Sequence, residues 1–421
     1  MSISPPDAPP AFERTSAAWR PLALPAFRVL WCVWFVANTT KWMNDVAAAW
    51  LMSTLTPSPV MVALVQTAST LPVFLLGLGS GALADIFDRR RFLVVTQLWV
   101  AVTAVLLCLA TWSGLIGPVL LLTLVFLHGM GFAMRWPVYA AIIPGLVPRL
   151  QLPAALALNA VAINASRIVG PILAGVLIAR ADIEYVFVLN AAMSLVTAIV
   201  ILRWNVEKRE SRPAHEGLLD AIRVGLRYVR RSDRMRSVLL HVVIFFGQST
   251  ALIALLPLLA RRIGDGSATT YTLLLASMGA GAVASAFVLP RLRAMTTPDG
   301  LLRNSSHAQA VAMTAVAYSP NLWLAVPMMM MAGVAWLIAA NSLSVSAQFA
   351  LPDWVRARGM SIYQVVLMGS AGLSAALWGQ VASWSDERMS VAAAALVGAV
   401  LLRLARGHTI EYGTEGDHTA P

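Results

Sequence analysis

The sequence predicts an all-α integral membrane protein with twelve transmembrane helices, arranged as two pseudo-symmetric six-helix bundles. Three observations predict it: an apolar composition, twelve long apolar segments, and basic residues gathered in alternate connections. Of the 421 residues, 58% are hydrophobic and only 12% are charged, about half the charged share of a soluble domain. The mean hydropathy is +0.72. A soluble protein so apolar could not cover its own surface.

A membrane helix needs ~20 mostly apolar residues. Residues 1–24, with scattered charges and five prolines, hold no such stretch and read as a cytoplasmic tail without a cleavable signal sequence. The first bundle, 25–203, holds segments at 28–53, 59–84, 92–112, 117–136, 151–179 and 184–203. A polar linker covers 204–236. Within it, Leu219, Ile222, Leu226 and Val229 fall at helical spacing opposite Arg223, Arg227, Arg230 and Arg231, which predicts an amphipathic surface helix over 216–231. The second bundle, 237–405, holds segments at 237–260, 268–290, 301–318, 321–346, 360–384 and 389–405, and a short polar cytoplasmic tail, 406–421, follows.

The connections carry charge unequally. Arg89, Arg90 and Arg91 follow segment 2, Arg149 follows segment 4, and a basic cluster fills 203–236. Arg291 and Arg293 follow segment 8, and Arg356 and Arg358 follow segment 10. The alternate connections hold no basic residue at 54–58 or 113–116, and elsewhere only Arg180, Arg261, Arg262 and Arg388. By the positive-inside rule both termini lie in the cytoplasm. Orientation accounts for most of the net charge of +11, so nucleic acid is not an expected partner. Cys32 and Cys108 both fall within apolar segments and predict no disulfide.

The stretches 143–159 and 351–366 follow segments 4 and 10. Each opens on a proline, Pro144 or Pro352, and carries a valine and basic residues before the next helix. Such a duplication is a transporter architecture with its site between the repeats.

Charges in a bilayer are costly and should face a cavity or one another. In segment 1, Trp34, Asn38, Lys41 and Asp45 form one stripe, and Lys41 and Asp45 are i,i+4 neighbours. Asp45 is the only acid well inside a segment of the first half. A carboxylate whose balance between pairing and burial changes between two states can load and release a proton, so Asp45, with Lys41 and His128, is a proton-coupling candidate. A static pair that only steadies segment 1 is the competing expectation, as a hydrogen-bonded structural role is for His128. Trp34, Asn38, Arg135, Asn164, Arg167, Gln248 and Asn341 are expected to face a central cavity. With Lys41, Arg135 and Arg167 against one acid, that cavity favours anions over lipophilic cations, and Trp31, Trp34 and Trp42 offer flat surfaces to aromatic rings.

The stretch "GALADIFDRRR" (81–91) resembles the loop 2–3 signature of the major facilitator superfamily, Gly-x-Leu-x-Asp followed by a basic cluster. Gly81, Asp85, Asp88, Arg89, Arg90 and Arg91 would form a network that holds one conformation. Phe87 and Asp88 depart from the general pattern. "RIVGPILAG" (167–175) is similar to the Gly-Pro-x-x-x-Gly element of superfamily antiporters, in which Gly170, Pro171 and Gly175 would allow close packing against the other half. With "VAAAWLM", "ALVQTASTLP" and "PDWVRARGMSIY", the chain looks most like the enterobactin-exporter-like branch. That resemblance implies proton-coupled antiport and efflux of a small organic molecule, including catecholate siderophores, across a bacterial inner membrane by a monomer. Its partners would be the substrate, protons and membrane lipids, and no cofactor or metal is expected.

The rival classes find little support. Lys41 and Lys208 are the only lysines, so no phosphate loop exists, and neither His-Glu-x-x-His nor Gly-x-Ser-x-Gly occurs. A multidrug antiporter for lipophilic cations would need an acid-dominated cavity, and a non-transporting receptor would not need the loop 2–3 signature.

Overall fold

The computed structural model describes residues 19–86, 88–204, 218–352 and 354–410, with backbone alone at 77–86, 136, 137, 141, 218–222 and 357. Among the described residues there are thirteen α-helices and no strand. The first half holds α1 (Pro25–Leu55), α2 (Pro59–Ile86), α3 (Arg89–Trp112), α4 (Pro118–Leu146), α5 (Leu152–Arg180) and α6 (Glu184–Arg203). The linker helix is α7 (Leu218–Arg231). The second half holds α8 (Asp233–Ala260), α9 (Ala268–Met295), α10 (Pro298–Ala317), α11 (Leu322–Phe349), α12 (Arg356–Trp384) and α13 (Glu387–Leu404).

Ten of these helices carry a stretch long and apolar enough to cross a membrane. Of the twelve expected spans, α1 and α10 are absent from that set. Lys41, Asp45 and two asparagines, Asn38 and Asn44, interrupt α1, and Arg303, Asn304 and His307 interrupt α10. Both are long enough, and both are enclosed by neighbours. The largest change of boundary is in α4, which runs to Leu146 and takes in Pro144, expected to open the following connection. A proline costs one backbone hydrogen bond, which a packed membrane helix tolerates.

Helix starts follow their chemistry. Pro25, Pro118 and Pro298 occupy first turns. Asp88, Ser232, Ser267, Thr297, Asn321 and Asp386 cap α3, α8, α9, α10, α11 and α13 with side-chain oxygens.

Packing in the first half repeats in the second. α1 lies on α5, α2 on α4, and α3 on α6; correspondingly α8 lies on α12, α9 on α11, and α10 on α13. Two pairs make most of the contact between the halves, α2 with α12 and α5 with α9, and the same pseudo-symmetry exchanges them.

The cores place the opening. At the end bearing the helix connection 56–58, one core crosses both halves and includes Ala47, Leu51, Val62, Leu252, Leu255, Tyr271 and Ala375. At the end bearing the described termini the core is split. Phe27, Leu30, Trp34, Tyr139 and Ile143 belong to one half, and Val242, Phe246, Leu343, Leu351 and Tyr363 to the other. The halves are therefore joined at one end and parted at the other.

α7 rests on the second half. Val229 enters its core, Tyr228 Oη donates to the Ala350 carbonyl at 3.2 Å, and Gly225 lies against Arg358. Arg223, Arg227, Arg230 and Arg231 are exposed on the far side. Leu226, expected on the buried face, is exposed as well, and the side chains of Leu219 and Ile222 lie outside the described residues.

Candidate functional site

Between the halves, α1, α2, α5, α8, α9 and α11 enclose a mostly apolar cavity of roughly 870 Å³, counted out to its mouth. Its polar groups are Asp45 on α1, Gln66 and Ser69 on α2, Arg167 on α5 and Tyr271 on α9.

Asp45 is held on two sides. Lys41 Nζ pairs with one carboxylate oxygen, and Ser69 Oγ donates to the other at 3.0 Å. Lys41 Nζ also lies 5.0 and 5.2 Å from the ring centres of Trp42 and Phe132. The two side chains are 14% and 19% exposed, so the charges are sheltered but not sealed.

Arg167 sits halfway along α5. Its guanidinium lies 5.5 Å from the ring centre of Trp42 in its own half and 4.3 Å from that of Trp336 in the other. Among the described residues no carboxylate lies within ion-pair distance of it, and its Nε is buried without a hydrogen-bond partner. Aromatic faces favour a cation without neutralising it. Around it the backbones come close. Gly170 lies against Trp42 and Thr39 of α1, where an added Cβ would stand 3.0 Å from the Thr39 carbonyl oxygen. Gly175 lies against Thr272 of the other half, and Pro171 lines the cavity.

Several expected cavity residues are not among those that line this cavity. Arg135 is buried between α1, α3 and α4, donating to Gln97 Oε1 at 2.9 Å and to the Ala37 carbonyl at 3.4 Å, against the rings of Trp34 and Phe132. Trp34 is stacked on Tyr139 with ring centres 3.7 Å apart. Asn38 and Asn164 each donate to the carbonyl four residues earlier, of Trp34 and Ala160. Gln248 packs against Gly398 of α13. Asn341 accepts from Arg293 at 2.6 Å. Among the described residues the surplus of cavity cations therefore comes from Arg167, because Lys41 is matched by Asp45 and Arg135 stands apart.

His128 belongs to a buried network inside the first half, with Nδ1 3.0 Å from Thr103 Oγ1 and Nε2 3.4 Å from Asn190 Nδ2, which donates in turn to Asn44. In the loop 2–3 stretch, Asp88 accepts the Arg91 backbone N–H at 2.9 Å. Arg90 donates to the carbonyls of Ile201 and Leu202 at the end of α6. Phe87 and the side chain of Asp85 lie outside the described residues.

Sequence reasoning missed Gln66, Ser69, Tyr271 and Trp336. Gln66 and Ser69 lie within "ALVQTASTLP", a stretch already singled out. Tyr271 and Trp336 carry no signal that separates them from packing or interfacial aromatics.

The family model described as transmembrane secretion effector matches residues 16–412. The chain is 22% identical to the staphyloferrin A transporter of Staphylococcus aureus over 61% of its own length and 65% of that protein's. It is 19% identical to macrolide efflux protein A of Streptococcus pyogenes over 62% and 65%. It thus spans less than two thirds of these relatives. Among solved structures it is similar to the nucleoside transporter NupG, with a TM-score of 0.73 at 11% identity over 91% of this chain and 98% of that one. It is also similar to an inward-facing bacterial homologue of the lysosomal transporter Spinster, at 0.74 and 15% over 93% and 99%. The outward-facing major facilitator transporter FucP gives 0.59 at 15% identity over 91% and 98%.

Proposed function

The chain belongs to the transmembrane secretion effector family of major facilitator superfamily transporters, and from that membership we propose that it exports a small organic anion across a bacterial cytoplasmic membrane. It is a multi-pass secondary transporter and not an enzyme. The finer reading joins alternating access of the two halves to proton coupling at Asp45, with both termini in the cytoplasm.

The observation that carries the anion reading is Arg167, a cation with no acid partner among the described residues, lining a cavity between the halves. A desolvated guanidinium binds carboxylate, sulfonate or catecholate oxygens through paired N–H donors. Trp42 and Trp336 flank it and would receive a flat ring. The arginine-rich connections favour a cytoplasmic location for the end at which the halves are parted, so the described state would accept cargo from the cytoplasm.

A second reading, efflux of lipophilic cations, is favoured by one fact: Asp45 faces a largely apolar cavity. Energised inside-out vesicles, acidic and positive inside, distinguish the two. Uptake of catechol disulfonate, lost in Arg167→Gln, is the expected result. Uptake of tetraphenylphosphonium instead, lost in Asp45→Asn, would establish the cation reading and overturn ours.

A further inference from the structure

Asp45 and Arg167 open into one cavity but do not neutralise each other. The charged groups around Asp45 can be taken element by element. On α1, Lys41 pairs with it, and on α2 the neutral Ser69 donates to it. Arg167 on α5 and the Tyr271 hydroxyl on α9 share its cavity. Behind Lys41, on α4, lie His128 and Arg135, both buried in the first half. With Asp45 ionised, Lys41 is compensated and Arg167 alone attracts an anion. With Asp45 protonated, Lys41 is released as a second positive charge beside the same cavity. An arriving anion that draws Lys41 toward itself also leaves Asp45 without its counter-ion, which favours the proton on Asp45. Each event makes the other easier, and by linkage the effect is equal in both directions.

Resting on the anion reading, we propose that a proton on Asp45 and an anion on Arg167 reinforce one another, so that the loaded carrier holds both. Exchange of proton for cargo needs the opposite, a site that holds one or the other. The proton is then a co-passenger that lowers the charge moved by one. The membrane potential, negative inside, drives an anion outward only through the charge that remains. An exporter built on this site therefore takes cargo with more than one negative charge, a polyanion such as a multiply charged carboxylate, sulfonate or catecholate.

The test is equilibrium binding of radiolabelled catechol disulfonate to the purified full-length protein in lipid nanodiscs, between about pH 6.5 and about pH 5, where the probe keeps its charge. Asp45→Asn, which removes the charge and keeps the shape, is expected to bind roughly 5- to 10-fold more tightly than wild type at the upper pH. Wild type should bind more tightly as pH falls, and this arm needs no variant to fold. Asp45→Asn binding no more tightly, or wild type weakening on acidification, overturns the linkage while leaving the anion site standing. No binding at either pH, with the protein folded by thermal unfolding, overturns the anion reading beneath it.

Discussion

Two arginines in the first half, Arg135 buried and Arg167 half-buried, show how neighbours, and not position alone, decide what a charge can do. Arg135 spends its donors on Gln97 and the Ala37 carbonyl. Arg167 lines the cavity and gives its faces to Trp42 and Trp336. Replacing Arg167 by lysine keeps the charge but loses both the planar fork and the stacking. Anion affinity in Arg167→Lys should fall about tenfold, and Arg167→Gln should bind still less, as measured by the nanodisc titration. Equal affinity in Arg167→Lys and wild type would show that charge alone suffices. The sequence made Lys41, Asp45 and Arg167 legible because charges within apolar segments must be answered by something. It could not show that Asn38 and Asn164 donate to the preceding turn, which an asparagine in a helix can do whichever way it faces. It could not reveal Trp336 or Tyr271, because an aromatic residue in an apolar helix looks alike whether it packs, anchors or binds.

At the scale of the helix, twelve segment positions were readable from hydropathy, while the close crossings were not. α9 and α11 meet through Gly281 and Gly333. An added Cβ on Gly281 would collide with the Met330 carbonyl oxygen, and one on Gly333 with that of Met278. Small residues let membrane helices touch backbone to backbone, and only the fold shows which glycines are so used. Gly281→Ala forces the helices apart and should cost about 1–3 kcal/mol, seen as a lower melting temperature in detergent. Gly281 does not line the cavity, so anion affinity in the folded fraction should hold. Gly145, whose added Cβ would meet nothing within 4 Å, supplies the control: Gly145→Ala should not lower the melting temperature. The loss of helix α1 from the purely apolar set has the same root as the function. Lys41 and Asp45, which make it a poor membrane span by composition, are the residues its neighbours enclose.

Across the whole molecule, the joined end depends on few polar contacts. Arg261, at the end of α8, donates to the Ser53 carbonyl near the end of α1, and the rings of Trp50 and Tyr271 stack across the halves with centres 5.8 Å apart. Beside them the contact is apolar and would part on opening. A hydrogen bond from a charged donor contributes about 1.5–3 kcal/mol, enough to shift a two-state population roughly tenfold or more. Arg261→Ala should therefore move the carrier toward the state in which this end is open. Spin labels can follow both ends at once. One pair at Trp112 and Tyr318 reports the joined end, and another at Leu150 and Met295 reports the parted end; all four side chains are exposed. In Arg261→Ala the first distance should lengthen as the second shortens, because rigid halves that rock about a central site cannot open one end without closing the other. Lengthening at the joined end with no change at the parted end would mean local fraying of α8, and would remove Arg261 from the conformational equilibrium.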